Sequence, residues 1–451
     1  MNRLYGNAFR KFLLPGYETV LRGRKTLAYL DEYEKSQWLP AEALQQLAWS
    51  RLHRLVEHCW EQVPYYRKRW AEAGLAGAED IRTPEDYARL PVLTKQDIRA
   101  NFADLHAAPR RDDMLYKATG GSTGEPLRFG YTRESYERRT AVMWRGYGWA
   151  GAWPGRRTAY LWGGSLMSAS RTATAKDHVY NLLYNRRMLD SFRMNESNLD
   201  QYVADMAAAK PEIVVSYVGP LLQLARRILE TGRPIHGVSS VITAAETLHH
   251  FQRPILQDAF PGAQVFNTYG CREFMLIASE CEAHDGLHVN ADHLHVEMLP
   301  ATNEDSSRQL VLTDMSNFGM PFMRYVNGDL AVPGPSTPCS CGRSLPRIAE
   351  VSGRVLDVIR TADGRLVPGE FFPHMFKDFP GVTRFQVVQS RLDHLSVKMV
   401  ADDAFTDSHE ARVRAEIRRV IGDATQVELQ RVPEIPLTPT GKHRVTVSEL
   451  G

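Results

Sequence analysis

A run of glycines and hydroxyl-bearing residues at positions 119–124 is the part of this chain best suited to bind an anion. Within Y-K-A-T-G-G-S-T-G-E-P at residues 116–126, the run consists of Thr119, Gly120, Gly121, Ser122, Thr123 and Gly124. Glycine lets an oxyanion approach the backbone closely, and inward-turned N–H groups and hydroxyls can then donate to a phosphate chain. The run follows neither the Walker A pattern nor the dinucleotide-binding fingerprint. Taken alone, it is better interpreted as a solvent-exposed turn.

Small side chains at residues 243–248, T-A-A-E-T-L, follow a predicted strand and offer a surface for a planar ring. Ala244, Ala245 and Glu246 would leave a flat slot against which a purine could stack. The alternative is a strand end followed by the start of a helix. For this segment alone we prefer that alternative.

Residues 267–274, N-T-Y-G-C-R-E-F, bring an amide, an aromatic ring and a carboxylate together after another predicted strand. Such groups can pair with the edge of adenine, stack on its face and hold Mg²⁺. The candidate residues are Asn267, Thr268, Tyr269 and Gly270 for the nucleotide and Glu273 for the metal. The alternative is a strand-to-helix turn, in which the helix dipole favours Glu273 in the first helical turn.

Two charged residues nearer the C-terminus also suit a nucleotide. Asp329, which follows Asn327-Gly328, could accept hydrogen bonds from both hydroxyls of a ribose; the alternative is a plain N-G-D turn. Lys442 lies in P-T-G-K-H-R, and a lysine on a flexible glycine loop could swing over a reacting phosphate. Most lysines in such a position are ordinary surface residues.

The order of these motifs is far more specific than any one of them. The glycine-rich loop is followed by AAETL, NTYGCREF, RYVNGD, a Gly353-Arg354 junction and PTGK, and this order resembles that of the adenylate-forming (acyl-CoA synthetase) superfamily. More narrowly, residues 52–74, LPVLTK at 90–95 and GLHVN at 286–290 resemble the phenylacetate–coenzyme A ligase and CapK branch. The resemblance covers nearly the full length of the chain.

The resemblance implies an α/β fold, with a large N-terminal α/β domain and a small mobile C-terminal α+β domain. We expect a helical part of the large domain at 1–110, an α/β nucleotide- and substrate-binding core at 111–353 and the mobile domain at 354–451. The hydrophobic pattern agrees, because it predicts a one-faced helix up to Pro64, then alternating buried strands and helices, and then a small α+β unit.

The resemblance also implies a two-step reaction that uses ATP, Mg²⁺ and coenzyme A. A carboxylic acid, expected to be aryl or arylalkyl, attacks the α-phosphate of ATP, and coenzyme A then displaces AMP from the acyl adenylate. Lys442 and Glu273 would be the catalytic residues, and the 119–124 loop would hold the β- and γ-phosphates. The nucleotide would also contact Asp329 and Arg354.

The sequence says less about the acyl pocket and the acceptor of the acyl group than about the nucleotide site. Trp162 and Tyr217 lie where relatives often line the acyl pocket, although both residue types also serve as ordinary core. One alternative is a ligase whose acceptor is an amine, a carrier-protein thiol or nitrite. Another is a non-catalytic nucleotide-binding relative, which an intact set of Glu273, Asp329 and Lys442 argues against. The chain departs from the family pattern at Arg272, where a threonine or serine is usual, so we expect a cation in place of one phosphate-binding hydroxyl.

Cys281, His288, Cys339 and Cys341 could form a structural Cys₃His zinc site. Their spacing is not that of a common zinc finger, and the alternative is a set of reduced cysteines without a metal. Similarity to branch members with the same E-C…G-L-H-V…C-x-C-G-R pattern favours zinc. We choose His288 over His284 as the fourth ligand.

Composition limits the remaining function classes. The 451 residues contain 55 Lys and Arg against 53 Asp and Glu, a net charge of +2, which argues against a dedicated nucleic-acid-binding protein. No apolar run reaches the length of a transmembrane helix, and Phe12–Pro15 is too short for a signal peptide. Five cysteines make a disulfide framework improbable, and we expect a cytoplasmic protein.

Overall fold

The structure of the chain is a computed structural model, and it describes most of the 451 residues. The described ranges are 2–108, 114–118, 127–162, 178–194, 196–300, 307–354, 359–361, 366–367, 371–376, 379–436 and 444–450. No helix within these ranges has both the length and the apolar character that crossing a bilayer requires.

The chain forms two compact units. The larger consists of Met1–Glu297, Val311–Asn327 and Pro333–Glu350. The smaller consists of Met298–Leu310, Gly328–Val332 and Val351–Gly451. The three-part division expected from the sequence stays a prediction.

The larger unit begins with a series of helices. These are α1 (Asn2–Ala8), two π-helical segments (Phe9–Leu13 and Gly16–Leu21), α2 (Thr26–Ser36), α3 (Ala41–Gln62), α4 (Pro64–Glu72), α5 (Pro84–Tyr87) and α6 (Lys95–Ala100).

Local sequence explains where several of these helices begin and end. The apolar face predicted up to Val63 belongs to α3, and Pro64 then takes the first position of α4, where its missing N–H costs nothing. Thr94 caps α6, because its hydroxyl accepts from the backbone N–H of Asp97 at 3.1 Å and the Asp97 carboxylate accepts in return from the backbone N–H of Thr94 at 2.9 Å.

Strands and helices alternate through the rest of the larger unit. The helices are α7 (Arg133–Trp149), α8 (residues 178–183), α9 (Leu199–Ala209), α10 (Val218–Glu230) and α11 (Arg253–Ala259). The first strands are β1 (Met114–Ala118), β2 (Arg128–Thr132), β3 (Thr158–Trp162), β4 (Arg186–Asp190), β5 (Ile213–Tyr217), β6 (Ser240–Ala244) and β7 (Gln264–Cys271). They are followed by β8 (Met275–Glu280), β9 (Leu287–Val289), β10 (Leu294–Pro300), β11 (Arg308–Asp314), β12 (Tyr325–Pro333) and β13 (Arg347–Arg354).

Eleven of the described strands form one sheet, in the order β10-β11-β12-β13-β9-β8-β7-β6-β5-β3-β4. The neighbours from β4 to β7 are parallel, so their carboxyl ends meet at one edge. From β7 to β8, β9 and β13 the pairing is antiparallel. The edge at which parallel strands end is where ligands bind in open α/β sheets.

Both faces of the parallel part are covered. On β5, Val214 packs into a core with α9, α10 and α11, whereas Ile213 and Val215 pack on the opposite side with Ile242 and Phe266. This two-sided burial explains why the parallel strands appear in the sequence as continuous apolar runs.

A buried ion pair joins the helices to the antiparallel part of the sheet. The guanidinium of Arg145 on α7 donates to both carboxylate oxygens of Asp292, at 2.6 and 2.9 Å, and both side chains are fully buried. Arg145 also donates to Asn290 Oδ1 at 2.6 Å and to the carbonyl of Tyr33 at 2.9 Å, while Ser36 Oγ donates to Asp292 at 2.5 Å. Although burial opposes it, Arg145 lowers the pKa of Asp292 and keeps it ionised.

The smaller unit is an α+β fold with its own core. Its elements are β14 (Ile359–Arg360), β15 (Leu366–Val367), α12 (Phe371–Phe376), β16 (Val382–Arg391), β17 (His394–Ala401), α13 (Asp407–Ile421), β18 (Gln426–Arg431) and β19 (Thr446–Ser448). Strands β16 and β17 pair antiparallel in a four-stranded sheet ordered β18-β17-β16-β19. The predicted fold class, a large α/β part with a smaller α+β part, is confirmed.

We expect Asp292→Asn to lower the free energy of unfolding by about 3 kcal/mol or more, because it leaves the Arg145 charge buried without a charged partner. Urea unfolding at neutral pH measures the change. A matched control is Asp31→Asn, since Asp31 pairs with Lys35 at 2.6 Å but is 64% exposed. That variant should lose about 0.5 kcal/mol or less. Equal, small losses in both variants would contradict a central role for the buried pair.

Candidate functional site

Glu273 lies in a tight turn between two antiparallel strands. Cys271 at the end of β7 pairs with Met275 at the start of β8, and a bulge separates Tyr269 from Gly270. A Cβ added to Gly270 would lie 2.0 Å from the Met275 carbonyl oxygen, so the hairpin requires glycine there. The alternative of a strand-to-helix turn at Glu273 is therefore wrong, since the chain reverses into another strand.

The Glu273 carboxylate is buried and oriented by a tyrosine from β12. Tyr325 Oη donates to Glu273 Oε1 at 3.2 Å, and the Tyr325 side chain is fully buried. Two residues further along β12, Asn327 Nδ2 donates to the hydroxyl of Tyr269 at 2.7 Å. The hairpin and β12 thus share a network of hydrogen bonds that fixes both the carboxylate and the Tyr269 ring.

Tyr325 and Asn327 are the residues that sequence reasoning missed. Asp329 belongs to the same strand and is itself buried, so the alternative of an N-G-D turn is also wrong. Because side chains alternate along a strand, Tyr325, Asn327 and Asp329 lie on one face. That alternation was present in R-Y-V-N-G-D and could have identified the two residues once the segment was assigned to a strand.

Hydrogen bonds to β6 and β8 fix the start of the N-T-Y-G segment. The backbone N–H of Asn267 donates to Glu280 Oε2 at 2.7 Å, and Thr243 Oγ1 donates to Asn267 Oδ1 at 3.3 Å. Thr268 Oγ1 donates to the Thr243 carbonyl at 2.7 Å, so this hydroxyl ties β7 to β6. Arg253 forms an ion pair with Glu280 from the other side.

The A-A-E segment begins where β6 ends. Ala244 is the last residue of β6 and pairs with Tyr217 on β5. Ala245 has a φ of 67°, which is a strained conformation for a residue with a Cβ. Glu246 Oε2 accepts the backbone N–H of Gly219 at 2.5 Å, in the first turn of α10. Glu246 therefore supports the start of a helix, where an acidic group is favoured.

The two aromatic residues proposed for the acyl pocket come together at the same edge. Trp162 ends β3 and Tyr217 ends β5, and these strands are parallel neighbours. Their ring centroids are 4.3 Å apart, with an angle of 41° between the planes. An aromatic surface thus lies at the carboxyl ends of the parallel strands, next to Ala244.

Part of the predicted site lies outside the described residues. This applies to Thr119–Gly124, to Lys442 and to the side chain of Arg354, whose backbone ends β13.

Positive charge is present where β1 leads into the glycine loop. The Lys117 side chain is exposed at the surface, yet desolvation by surrounding atoms lowers its pKa, and the charges of Arg139 and Arg272 lower it further. Arg139 is paired with Asp314 at 2.6 Å, whereas Arg272 is exposed. Lys117 and Arg272 are thus two exposed cations whose charges act on one another.

Three cysteines and a histidine form a compact cluster in the larger unit. The ligand atoms of Cys281, His288, Cys339 and Cys341 all lie within 4.8 Å of one another. Cys281 Sγ is 3.8 Å from Cys339 Sγ, and Cys341 Sγ is 3.3 Å from His288 Nε2. A tetrahedral zinc ion with ordinary bond lengths needs separations of about 3.8 Å and about 3.6 Å respectively. The donor set and its dimensions therefore fit zinc.

Neighbouring backbone groups orient the histidine and donate to two of the sulfurs in the cysteine and histidine cluster. His288 Nδ1 donates to the Leu345 carbonyl at 2.8 Å, which turns Nε2 towards the sulfurs, and burial lowers the pKa of His288 and keeps the ring neutral. The backbone N–H groups of Ala283 and Arg343 point at the sulfurs of Cys281 and Cys341, at 3.4 and 3.5 Å. His284, the other candidate, instead contacts Glu280 at 3.4 Å.

Comparison with known proteins shows what the chain as a whole resembles. The chain is 26% identical to a phenylacetate–coenzyme A ligase of Thermus thermophilus over 382 residues, which are 81% of this chain and 83% of the relative. It is 22% identical to the CapK protein of Staphylococcus aureus over 95% of this chain and 94% of the relative. A crystal structure of 2-hydroxyisobutyryl-CoA ligase in the postadenylation state superposes with a TM-score of 0.72, at 18% identity and over 92% of each chain.

The smaller unit provides an independent match. Residues 359–449 fit the model of the CapK C-terminal domain, a range that starts at β14 and includes β19. The larger unit carries the N-T-Y-G-C-R-E-F segment on a hairpin and the A-A-E segment at the end of a parallel strand, and the relatives match this chain along most of their own length. The chain is therefore similar over most of its length to the phenylacetate–coenzyme A ligase and CapK branch of the adenylate-forming enzymes, and residues 359–449 match the CapK C-terminal domain.

Proposed function

We propose that this chain is an ATP-dependent ligase that activates an aryl or arylalkyl carboxylic acid as an acyl adenylate and transfers the acyl group to coenzyme A. The observation that carries the proposal is the buried Glu273 carboxylate, held by Tyr325 in the turn that follows the nucleotide-type segment Asn267–Gly270. The similarity to phenylacetate–coenzyme A ligases over most of both chains supports the choice of reaction.

In the first step, a carboxylate oxygen of the acid attacks the α-phosphorus of ATP, and pyrophosphate leaves. Both reactants are anionic, so the transition state needs positive charge. We assign that charge to Lys442 and to Mg²⁺ held by Glu273, which would neutralise the phosphate oxygens. The 119–124 loop would bind the β- and γ-phosphates, and Arg272 would add a cation where relatives use a hydroxyl.

In the same proposal, adenine lies beside Asn267 and Tyr269, and the ribose hydroxyls donate to Asp329. The Tyr269 hydroxyl is fixed by Asn327, so its ring offers a preorganised stacking surface. The ring pair of Trp162 and Tyr217 would contact the acyl group, and its apolar faces favour an aryl acid.

In the second step, the thiol of coenzyme A loses its proton and attacks the acyl carbon. The bond between that carbon and the oxygen shared with phosphate breaks, and AMP leaves with the oxygen. The acid alone is a poor electrophile, because its leaving group would be hydroxide. Adenylation provides AMP as a better leaving group.

A pyrophosphate-release screen tests the proposed function. Aryl, arylalkyl, fatty and amino acids are compared with and without coenzyme A, and products are identified by mass spectrometry. We expect pyrophosphate and AMP with an aryl or arylalkyl acid, and a thioester once coenzyme A is added. Lys442→Ala should slow pyrophosphate release by roughly 10²-fold or more. A thioester formed with release of ADP and phosphate, or AMP released only with an amine or nitrite, would contradict the proposal.

We expect Tyr325→Phe to raise the Mg²⁺ concentration that gives half-maximal pyrophosphate release by roughly tenfold, because a hydrogen bond to a charged group contributes about 1.5 kcal/mol or more. The maximal rate at saturating Mg²⁺ should change little. Tyr184→Phe is a matched control, since Tyr184 is also buried and donates to a carboxylate, Glu18, at 2.9 Å. If both variants require the same Mg²⁺ concentration as the unaltered chain, Tyr325 does not position Glu273 for metal binding.

We also propose that the cluster of Cys281, His288, Cys339 and Cys341 holds one structural zinc ion. The support is the match of its donor separations to a tetrahedral site. Because the four protein ligands complete the coordination, the ion would stabilise the fold rather than take part in the reaction.

Elemental analysis of protein purified without a metal-affinity tag should find about one zinc ion per chain. Cys339→Ser should lower both the zinc content and the melting temperature. Cys59→Ala is the control, because Cys59 is a buried cysteine of α3 outside the cluster, and its variant should keep the metal. If protein without metal is as stable as the zinc-loaded form, the zinc proposal is wrong and the three cysteines are ordinary reduced thiols.

A further inference from the structure

Exposed large apolar side chains are concentrated at one place in the larger unit. Among the described residues, thirteen such side chains are exposed; five lie between residues 5 and 21 and three lie on α8, so eight of the thirteen belong to these two short segments. Phe12 is 66% exposed, Val20 83% and Leu182 70%. The other members are Tyr5, Leu13, Leu21, Val179 and Leu183.

The two segments are anchored to the fold and to each other. Tyr5 Oη donates to the Leu183 carbonyl at 2.8 Å, and the Phe9 ring packs on Tyr184 with centroids 5.1 Å apart. Phe9 and Leu14 are buried in a cluster with Trp144 of α7. Since the inward-facing side of the N-terminal segment is packed, its exposed apolar side chains are held outward by the fold.

The π-helical geometry gathers the outward side chains. Phe9–Leu13 and Gly16–Leu21 are both π-helical, with i→i+5 hydrogen bonds that give a repeat of about four to five residues per turn. Phe12 and Leu13 are therefore about two turns from Val20 and Leu21. The segment thus presents two exposed apolar pairs, Phe12 with Leu13 and Val20 with Leu21.

The exposed charged side chains between residues 5 and 25 are all cations. Arg10, Lys11, Arg22 and Lys25 are all exposed. The one acid between residues 2 and 25 is Glu18, which is buried and accepts from Arg24 at 3.2 Å. We call the surface formed by residues 5–25 and α8 the basic apolar face.

We propose that the basic apolar face binds peripherally to a bilayer that contains anionic phospholipids. Apolar side chains flanked by lysine and arginine insert into the interfacial region, while the cations remain at the level of the lipid phosphates. This inference concerns a surface outside the proposed active site and does not depend on the proposed reaction.

The charge pattern argues against a second copy of this chain as the occupant. A two-fold dimer brings the same patch of both subunits together, which would place the cations of two identical faces opposite one another. Like charges at close range oppose such an association, whereas an anionic lipid surface attracts them.

Co-sedimentation with vesicles tests the proposal. Vesicles of phosphatidylcholine alone are compared with vesicles that contain about one-third phosphatidylglycerol, at low and high salt. We expect at least tenfold stronger binding to the anionic vesicles and a clear loss at high salt. Equal binding to both lipids, or no binding to either, would overturn the proposal.

Matched variants locate the binding surface. Lys11→Glu and Phe12→Ser should each lower the vesicle partition coefficient several-fold. Lys68→Glu and Leu392→Ser are the controls, since both residues are exposed elsewhere and their variants should bind as the unaltered chain does. All four positions are on the surface, and unchanged melting temperatures will confirm that the variants fold.

Analytical ultracentrifugation tests whether a second copy of this chain binds the basic apolar face instead of a membrane. We expect the chain without lipid to sediment identically before and after Phe12→Ser. A dimer that Phe12→Ser dissociates would assign the face to a second copy and overturn the proposal. Controls that lose vesicle binding as strongly as Lys11→Glu would also overturn it, because attachment would then be independent of this face.

Discussion

The buried ion pair between Arg145 and Asp292 connects the helical part of the larger unit to the strands that carry its polar residues. Arg145 comes from α7, and Asp292 lies between β9 and β10. Through Asn290, whose Nδ2 donates to the carbonyls of Leu276 and Ile277, the same network reaches β8 a few residues after Glu273. His288 lies two residues before Asn290, so the cysteine and histidine cluster is attached to the same structure. The cost of burying these charges is offset because both terminal nitrogens of Arg145 and both carboxylate oxygens of Asp292 are hydrogen-bonded, and the result is a rigid support behind the Glu273 turn.

The polar edge itself is less regular than the sheet behind it. Ala245 takes a left-handed conformation and Gly270 leaves no room for a Cβ, and both lie directly at strand ends that face the candidate site. Local irregularities of this kind persist only where the surrounding fold enforces them. Here these conformations are held by the apolar core on both faces of the parallel strands and by the antiparallel pairing of β7, β8 and β9. The stable sheet thereby holds one left-handed residue, Ala245, at the edge where the candidate site lies.

Sequence patterns predicted the elements well where the physics is local. The one-faced pattern of α3 and the buried strands that alternate with helices, of which β5 is one, follow from hydrophobic periodicity. Contacts across long separations were not accessible in this way. The hydrogen bond from Tyr325 to Glu273 joins residues 52 positions apart, and the pair of Arg145 and Asp292 joins residues 147 apart. The alternative that Glu273 begins a helix was wrong for a related reason. The pairing of β7 with β8, rather than helix propensity, decides how the chain continues after Glu273. For the basic apolar face, the sequence indicated only Phe12–Pro15, since exposure of Val20 or Leu182 depends on the packing of distant helices.

The central claim is that the acid is activated by bonding to the α-phosphorus of ATP, and isotope transfer tests it directly. The acid is labelled with ¹⁸O in both carboxylate oxygens and allowed to react with ATP and coenzyme A. If an acyl adenylate forms, one labelled oxygen must leave with the phosphate of AMP, and the thioester keeps the other. We therefore predict that AMP gains one ¹⁸O per turnover while pyrophosphate gains none. Unlabelled AMP, or label found in inorganic phosphate with ADP as the nucleotide product, would show that the acid is activated by another route and would contradict the account.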